Sequence, residues 1–133
     1  MKRALVTGGS GSIGAAICRR LAADGCYVYV HANRNLTKAV TLAQEIVATG
    51  GAAEAIAFDV TDAQASRVAL ESLIAETPVQ ILVNNAGVHD DAVFPAMRAD
   101  QWHQVLAVSL DGFFHVTQPL TMPMIIGVNG GMI

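Results

Sequence analysis

The stretch Thr-Gly-Gly-Ser-Gly-Ser-Ile-Gly at positions 7–14 decides the fold that this sequence predicts. A short apolar run precedes it at residues 4–7, and a helical pattern with one apolar stripe follows it at residues 12–24. The glycines at positions 9, 11 and 14 have the spacing G-x-G-x-x-G. Between a strand and a helix, this spacing is typical of a dinucleotide-binding turn, because backbone without side chains can approach a pyrophosphate closely.

The start of the following helix explains why phosphates would bind here. A helix N-terminus offers unpaired N–H groups and the positive end of the helix dipole to an anion. The alternative is a flexible strand-to-helix turn without a ligand. The residues expected to contact the cofactor in this turn are Gly8, Gly9, Ser10, Gly11, Ser12, Ile13 and Gly14.

The rest of the chain alternates apolar runs with helical patterns, which is typical of a parallel α/β sheet. Further strands are predicted at residues 27–31, 55–58 and 80–84, and a helix at residues 36–49. We predict a Rossmann-like three-layer αβα sandwich with a parallel sheet in the order 3-2-1-4.

Two more helices complete the predicted pattern. Thr61 and Gln64 have the spacing of a capping box and would open a helix that stops before Pro78. Asp100 can cap a long helix, which Pro119 and Pro123 would bend or end.

The end of the second strand indicates which dinucleotide is bound. An NAD site usually has an acidic residue about 20 residues after the glycine turn, whereas arginine suits a 2′-phosphate. No acidic residue lies between Asp24 and Glu45, and the strand ends at Asn33 and Arg34. These two residues favour NADP(H) over NAD. The alternative is that Arg34 is a solvated loop charge.

The crevice of such a sheet lies between strands 1 and 4, so the end of strand 4 should line it. That end reads Asn84-Asn85-Ala86-Gly87, and two successive buried asparagines would need hydrogen bonds. Asp59, at the end of strand 3, would accept from the adenine amino group or act as a turn residue before the next helix.

Composition excludes several classes of protein. Hydrophobic residues make up 53% of the 133 residues and charged residues 14%, so the chain is not intrinsically disordered. The net charge is −3, and lysine and arginine cluster only at positions 2–3 and 19–20, which argues against a nucleic-acid partner. No apolar run approaches the ~18 residues of a membrane span.

The remaining residue types point to a cytoplasmic protein without a metal. The N-terminus lacks the apolar stretch of a signal peptide. Cys18 and Cys26 form no C-x-x-C pair and are expected to be buried in a reducing compartment. The histidines lack metal-site spacing, so residues 89–91 (His-Asp-Asp) are interpreted as a polar loop, with a metal site as the alternative.

Four segments together resemble the short-chain dehydrogenase/reductase family: residues 7–14, 59–60, 84–87 and 102–114. The resemblance covers residues 1 to about 124 and is greatest to the 3-oxoacyl-[acyl-carrier-protein] reductases. It implies hydride transfer between a nicotinamide and a carbonyl or alcohol, with Asn, Ser, Tyr and Lys in the active site. The cofactor positions that it carries over are Asp59, Val60, Asn85, Ala86 and Gly87.

The resemblance also assigns the second half of the chain. The loop at residues 89–91 would border the substrate entrance, with Phe94, Met97 and Trp102 lining it or, alternatively, packed in the core. Phe113 and Phe114 would pack against a neighbouring helix or subunit, since this helix commonly forms a dimer face in the family. We therefore expect a homodimer or homotetramer.

Two positions depart from the family pattern. Ser12 stands where the family has the middle glycine of its turn. Ser109 stands where the family has its active-site asparagine, and its hydroxyl would still hold a water of the proton relay. The alternative for Ser109 is a hydroxyl bonded back to its own helix.

The family's catalytic Ser and Tyr-x-x-x-Lys are absent from the sequence, whose tyrosines are Tyr27 and Tyr29. The chain alone is therefore expected to be inactive. Residues 126–133 resemble the C-terminal strand of the family, so residues 1–125 and 126–133 would be parts of one domain joined across a missing stretch. An internal deletion and a sequence that omits part of a longer chain both explain this, and the second is favoured.

The resemblance therefore implies an NADPH-dependent reductase that converts a 3-oxoacyl thioester, free or on a carrier protein, to its 3-hydroxy form in fatty-acid biosynthesis. One alternative is a short-chain oxidoreductase for a sugar, polyol or other ketone. A second is a non-catalytic dinucleotide-binding module.

Overall fold

The computed structural model describes residues 1–127 and 130–133. Strands and helices alternate along the chain, as predicted. In order they are β1 (Arg3–Val6), α1 (Ser12–Ala23), β2 (Tyr27–Ala32), α2 (Leu36–Ala48), β3 (Ala52–Ala57), α3 (Ala63–Glu76), β4 (Ile81–Val83), a 3₁₀ turn (Phe94–Ala96), α4 (Ala99–Leu106), a π-helical turn (Ala107–Asp111) and α5 (Gly112–Ile126).

The sheet is parallel, and its order β3-β2-β1-β4 confirms the prediction. Val6 pairs with Val30 on one side and with Val83 on the other. The carboxyl ends of these strands therefore lie at one edge. The glycine turn and the end of β4 follow at this edge, which places them next to each other.

Side chains that alternate along the strands build a core on each face of the sheet. One core contains Val6 and Val30 with Cys18 of α1 and Ile46 of α2. The other contains Leu5 and Leu82 of the strands with Leu70 of α3 and Val116 and Leu120 of α5. These are the three predicted layers. Both cysteines are buried and free, as expected.

The predicted start of α3 is wrong by one residue. Asp62 caps it, because its Oδ1 accepts from the backbone N–H of Ala65 at 3.0 Å. The Thr61 hydroxyl instead donates to Asp59 Oδ1. β3 also begins earlier than predicted, at Ala52, since its pairing with β2 extends to Tyr27.

The predicted cap of α4 and the predicted effect of the prolines on α5 are also corrected. Arg98, not Asp100, is the N-cap residue of α4, and Asp100 lies in its first turn. Pro119 and Pro123 lie inside α5 and do not end it. A proline costs a backbone hydrogen bond, but α5 keeps one buried stripe through Leu120 and Met124, which packs against the core.

The last residues lie beside β4. Met132 forms a parallel bridge with Ile81: its N–H donates to the Gln80 carbonyl at 2.7 Å, and its carbonyl accepts from Leu82 N–H at 2.8 Å. In the predicted segment 126–133, Ile126 ends α5, while Val128 and Asn129 lie outside the described residues. The assignment of this segment to a C-terminal strand stays a prediction.

Candidate functional site

The glycine turn is compact and depends on glycine at position 14. Gly8 has a φ of +62°, and its carbonyl accepts from Gly11 N–H at 3.2 Å. A Cβ at Gly14 would overlap that same carbonyl oxygen and lie 2.8 Å from Asn85 Nδ2. A Cβ at Gly11 would meet nothing closer than 3.5 Å. Gly14 is therefore needed to pack α1 against the turn, whereas Gly11 leaves open space.

The N-terminus of α1 has the donors that an anion requires. Gly11 is its N-cap residue and has no side chain to accept from the first-turn N–H groups. The N–H groups of Ser12, Ile13 and Gly14 have no acceptor within an α-helix, and Ser12 and Ile13 are exposed. This donor set fits a dinucleotide's phosphates.

The end of β4 holds the glycine turn from the side. Asn85 Nδ2 donates to the carbonyls of Thr7 and Gly8, at 3.1 and 3.2 Å. The Thr7 hydroxyl also accepts from the N–H groups of Asn85 and Ala86. We expected both asparagines to be buried, but Asn84 is exposed and donates to Thr117 Oγ1 of α5. Strand alternation turns the two side chains in different directions.

His31 is a site residue that the sequence analysis missed. Its Nδ1 accepts from the N–H of Gly8 at 3.0 Å, and its Nε2 donates to the carbonyl of Phe58 at 2.7 Å. The ring is buried, with its centroid 4.3 Å from that of Phe58. Burial lowers the pKa of His31 below its ordinary value of 6.5. The sequence did contain one indication of this role, namely a histidine within the otherwise apolar strand β2.

Asn33 and Arg34 lie exposed between β2 and α2. The next residue, Asn35, caps α2 by accepting from Thr37 N–H at 2.9 Å. Arg34 is close enough to Asp59 for its charge to contribute to the lowered pKa of that carboxyl. The positive charge of Arg34 therefore faces the carboxyl end of β3.

Asp59 has the turn role that the sequence offered as an alternative. Its Oδ1 accepts from the hydroxyl of Thr61 at 2.7 Å and from its N–H at 2.9 Å. The hydroxyl contributes most to holding the pKa of Asp59 below its ordinary value. Both bonds end on Oδ1, which leaves Oδ2 for another partner.

Val60 connects this edge to α5. His115 Nδ1 donates to the Val60 carbonyl at 2.8 Å, and a Cβ at Gly112 would lie 2.9 Å from Val60 Cγ2. Gly112 therefore lets α5 approach closely. The π-helical turn with Ser109 comes just before this contact. Such turns are frequent at functional sites.

Ser109 is exposed in that turn. Over residues 1–127 and 130–133, hydroxyls that bond back to a carbonyl four residues earlier come from Thr41 and Thr121. The back-bonded alternative for Ser109 is not seen there. Its place in the proton relay remains a prediction.

The loop after β4 borders a cavity of about 240 Å³. Gln101 of α4 is buried and ties the loop down, since it donates to Asp90 Oδ1 at 2.9 Å and accepts from Arg98 N–H. Trp102 lines the cavity and is 53% exposed, while Phe94 is 82% exposed. The core-packing alternative is therefore wrong for these two aromatic residues.

The two tyrosines lie away from the glycine turn. Arg3, at the start of β1, is 4.7 Å from the ring centroid of Tyr27 and bonds the hydroxyl of Tyr29. Tyr29 is fully buried. Neither hydroxyl lies where a substrate carbonyl beside the crevice would meet it.

The described residues contain neither a cluster of metal-binding side chains nor a membrane-spanning helix. In residues 1–127 and 130–133, no three His, Cys, Asp or Glu side chains are placed to hold a metal ion. No helix in these ranges combines the length and apolar character needed to cross a membrane.

A family profile described as short chain dehydrogenase matches residues 2–133. A 3-oxoacyl-[acyl-carrier-protein] reductase of Aggregatibacter actinomycetemcomitans is 37% identical over 91% of this chain and 50% of its own length. An acetoacetyl-CoA reductase of Rhizobium meliloti (strain 1021) is 41% identical over 88% of this chain and 47% of its own length. The chain thus spans about half the length of the curated relatives that it matches.

A solved structure has the same architecture. The crystal structure of a gluconate 5-dehydrogenase from Burkholderia cenocepacia J2315, in complex with NADP and tartrate, superposes with a TM-score of 0.86 at 38% identity. The match covers 93% of this chain and 49% of that one. The fold of this chain is therefore shared with a protein of known structure.

Proposed function

Because this chain belongs to the short-chain dehydrogenase family, we propose that it is the NADP(H)-binding part of an oxidoreductase. One observation carries the proposal: the uncapped N-terminus of α1 begins at a glycine turn that Asn85 clamps to the end of β4. The solved dehydrogenase with a similar fold was crystallised with NADP, which agrees with this assignment.

The pyrophosphate would bind the first-turn N–H groups of α1. There, each donor already points at the ligand before binding, so little ordering has to occur. Gly11 leaves open space beside these donors, since a Cβ there would meet only the Gly8 carbonyl oxygen, at 3.5 Å. Ser10 and Ser12 flank this position and would add hydroxyl donors.

Arg34 would select for the 2′-phosphate. Its guanidinium is exposed and free to form the bidentate contact that arginine makes with phosphate. Asn33, beside it, would donate a second bond. Asp59 Oδ2 would accept from the adenine amino group, and the backbone of Val60, whose side chain is buried in the core, would lie beside the ring. Asn85, Ala86 and Gly87 would border the nicotinamide ribose.

The substrate that best agrees with the relatives is a 3-oxoacyl thioester. Two relatives are named for such substrates, one on a carrier protein and one on coenzyme A. NADPH, when bound, would supply the hydride that reduces the 3-oxo carbon. The apolar cavity beside Trp102 would contact the acyl chain, and Ser109 would hold a water for the proton relay. The gluconate dehydrogenase favours a sugar or polyol as the second candidate.

The chain alone would bind the cofactor and turn over poorly. General acid catalysis typically contributes about 10²–10⁴-fold to the rate, and Tyr27 and Tyr29 are held near Arg3. The rate of turnover therefore distinguishes an active reductase from a module that only binds the cofactor.

An assay of NADPH oxidation tests the proposal. Acetoacetyl-CoA and a keto-sugar acid are compared as substrates, after a binding titration has shown that the chain is loaded with cofactor. We expect binding with turnover near background. Failure to bind NADPH would refute the assignment, and full turnover of either substrate would refute the requirement for further catalytic groups.

The exposed face of α5 is proposed as a subunit contact. Phe113 and Phe114 are about half exposed, and Phe114 contacts the ring of His115 edge-on. Burial of one such side chain contributes about 1.5–3 kcal/mol. We expect a homodimer or homotetramer by sedimentation, and Phe113→Ser with Phe114→Ser to give a smaller species.

A further inference from the structure

His31 joins two segments of the cofactor edge, and the proposed binding mode does not use it. It is 1% exposed and lies in β2. Gly8 belongs to the glycine turn, and Phe58 directly follows β3. A single imidazole thus bonds the backbone of both.

These two bonds fix which ring nitrogen carries the proton. The Gly8 N–H is a donor, so Nδ1 must present its lone pair. The Phe58 carbonyl is an acceptor, so Nε2 must carry the hydrogen. Only the neutral Nε2–H form of His31 satisfies both. In the protonated ring, Nδ1–H would face the Gly8 N–H.

The peptide group that His31 holds lies at the start of the turn. Gly8 has a positive φ. Because glycine can adopt many other backbone conformations, contacts are needed to hold it in this one. Asn85 holds the carbonyl of Gly8, and His31 holds its N–H. Without the imidazole acceptor, this half-buried N–H would have to rotate towards another partner, and the phosphate-binding N–H groups of Ser12 and Ile13 would move with it.

We propose that His31 is a positioning residue whose neutral Nε2–H form holds the Gly8 peptide, and with it the glycine turn, in the cofactor-binding conformation. The inference rests on the proposed function, since it concerns affinity for NADP(H) at that turn. It adds a requirement: binding depends on the protonation of a side chain that does not touch the cofactor.

The charges around the ring decide the pH range. Asp59, at the end of β3, favours the protonated form, and burial opposes it more strongly. Arg34, from the loop after β2, acts on Asp59. The glycine turn contributes no titratable side chain. Burial lowers the pKa of His31 from 6.5, so the neutral form predominates at neutral pH and is lost on acidification.

The first test compares wild type with His31→Gln and His31→Phe in titrations with NADP⁺ from about pH 5 to about pH 8. A Gln amide offers an acceptor and a donor without titrating, whereas Phe keeps the ring volume and loses both bonds. At neutral pH, we expect His31→Phe to weaken binding about tenfold and His31→Gln to stay within about threefold of wild type.

As the pH falls through the lowered pKa of His31, wild type should lose more affinity than His31→Gln. The cofactor's own 2′-phosphate also titrates near pH 6, but it does so equally in both proteins. Parallel pH profiles, or wild-type affinity that rises in acid relative to His31→Gln, would overturn the inference.

The second test uses the wild-type protein without cofactor. Nitrogen-15 NMR of the wild-type imidazole should show the Nε2–H tautomer with a bond across to Gly8. The opposite tautomer, or a ring that is protonated at neutral pH, would overturn the inference even if NADP⁺ binds. If NADP⁺ does not bind at any pH while the tautomer is as expected, the proposed function fails and the His31 bridge stands.

Discussion

Asn85 donates two hydrogen bonds to Thr7, one from its backbone and one from its side chain. The Asn85 N–H donates to the Thr7 hydroxyl at 3.1 Å, and the Asn85 side chain donates to the Thr7 carbonyl at 3.1 Å. They lie at the ends of neighbouring strands, where a short β4 has few ladder bonds of its own. This pair therefore sets the distance between the glycine turn and the other wall of the crevice.

Asn85→Ala should destabilise the protein by about 1–3 kcal/mol, because the carbonyls of Thr7 and Gly8 lose a half-buried donor. Asn84→Ala is the matched control: the same deletion, one residue away, removes an exposed bond to Thr117 and should cost less than about 0.5 kcal/mol. Urea unfolding of both variants measures this. Equal losses would show that Asn85 does not clamp the turn.

Gly14→Ala should lower the stability of the protein, whereas Gly11→Ala should lower its affinity for NADP⁺ and leave its stability nearly unchanged. The new methyl at position 14 would overlap the Gly8 carbonyl, and we expect a loss of about 1–3 kcal/mol in the free energy of unfolding. At position 11, the backbone φ of −76° suits alanine and no atom lies within 3.4 Å, so stability should change little.

The affinity of the same two variants for NADP⁺ completes the comparison. We expect Gly11→Ala to weaken binding at a normal melting temperature, because its methyl would add bulk beside the exposed N–H groups of Ser12 and Ile13. A Gly11→Ala protein that binds NADP⁺ as wild type does would place the phosphates elsewhere.

Stability should fall as the pH drops below about 6.5. The pKa of His31 is lower in the folded chain than in the unfolded one, so the unfolded chain binds more protons in this range. The stabilisation is complete above pH 6.5 and is lost as the pH falls through the folded pKa. Chemical denaturation at several pH values should show this fall in wild type and a smaller one in His31→Gln. A stability maximum in acid would contradict the sign of the pKa shift.

The order of the strands and the glycine turn could be predicted, because apolar runs and glycine spacing are local signals. The π-helical turn at Ser109 and the continuation of α5 through Pro119 could not, since they depend on packing of α5 against α3 and Val60. His31 was missed for a related reason. Its partners, Gly8 and Phe58, are 23 and 27 residues away in sequence, and only the sheet brings them to one ring.

The most direct test of the central claim is the ratio of the affinities for NADP⁺ and NAD⁺, measured by calorimetry on wild type, Arg34→Ala and Arg67→Ala. Arg67 lies exposed on α3 and controls for the change in charge. We predict saturable binding of one NADP⁺ per chain, tighter than NAD⁺ by about tenfold or more, with this preference lost in Arg34→Ala and kept in Arg67→Ala. Absence of binding, or equal affinity of wild type for both dinucleotides, would contradict the account.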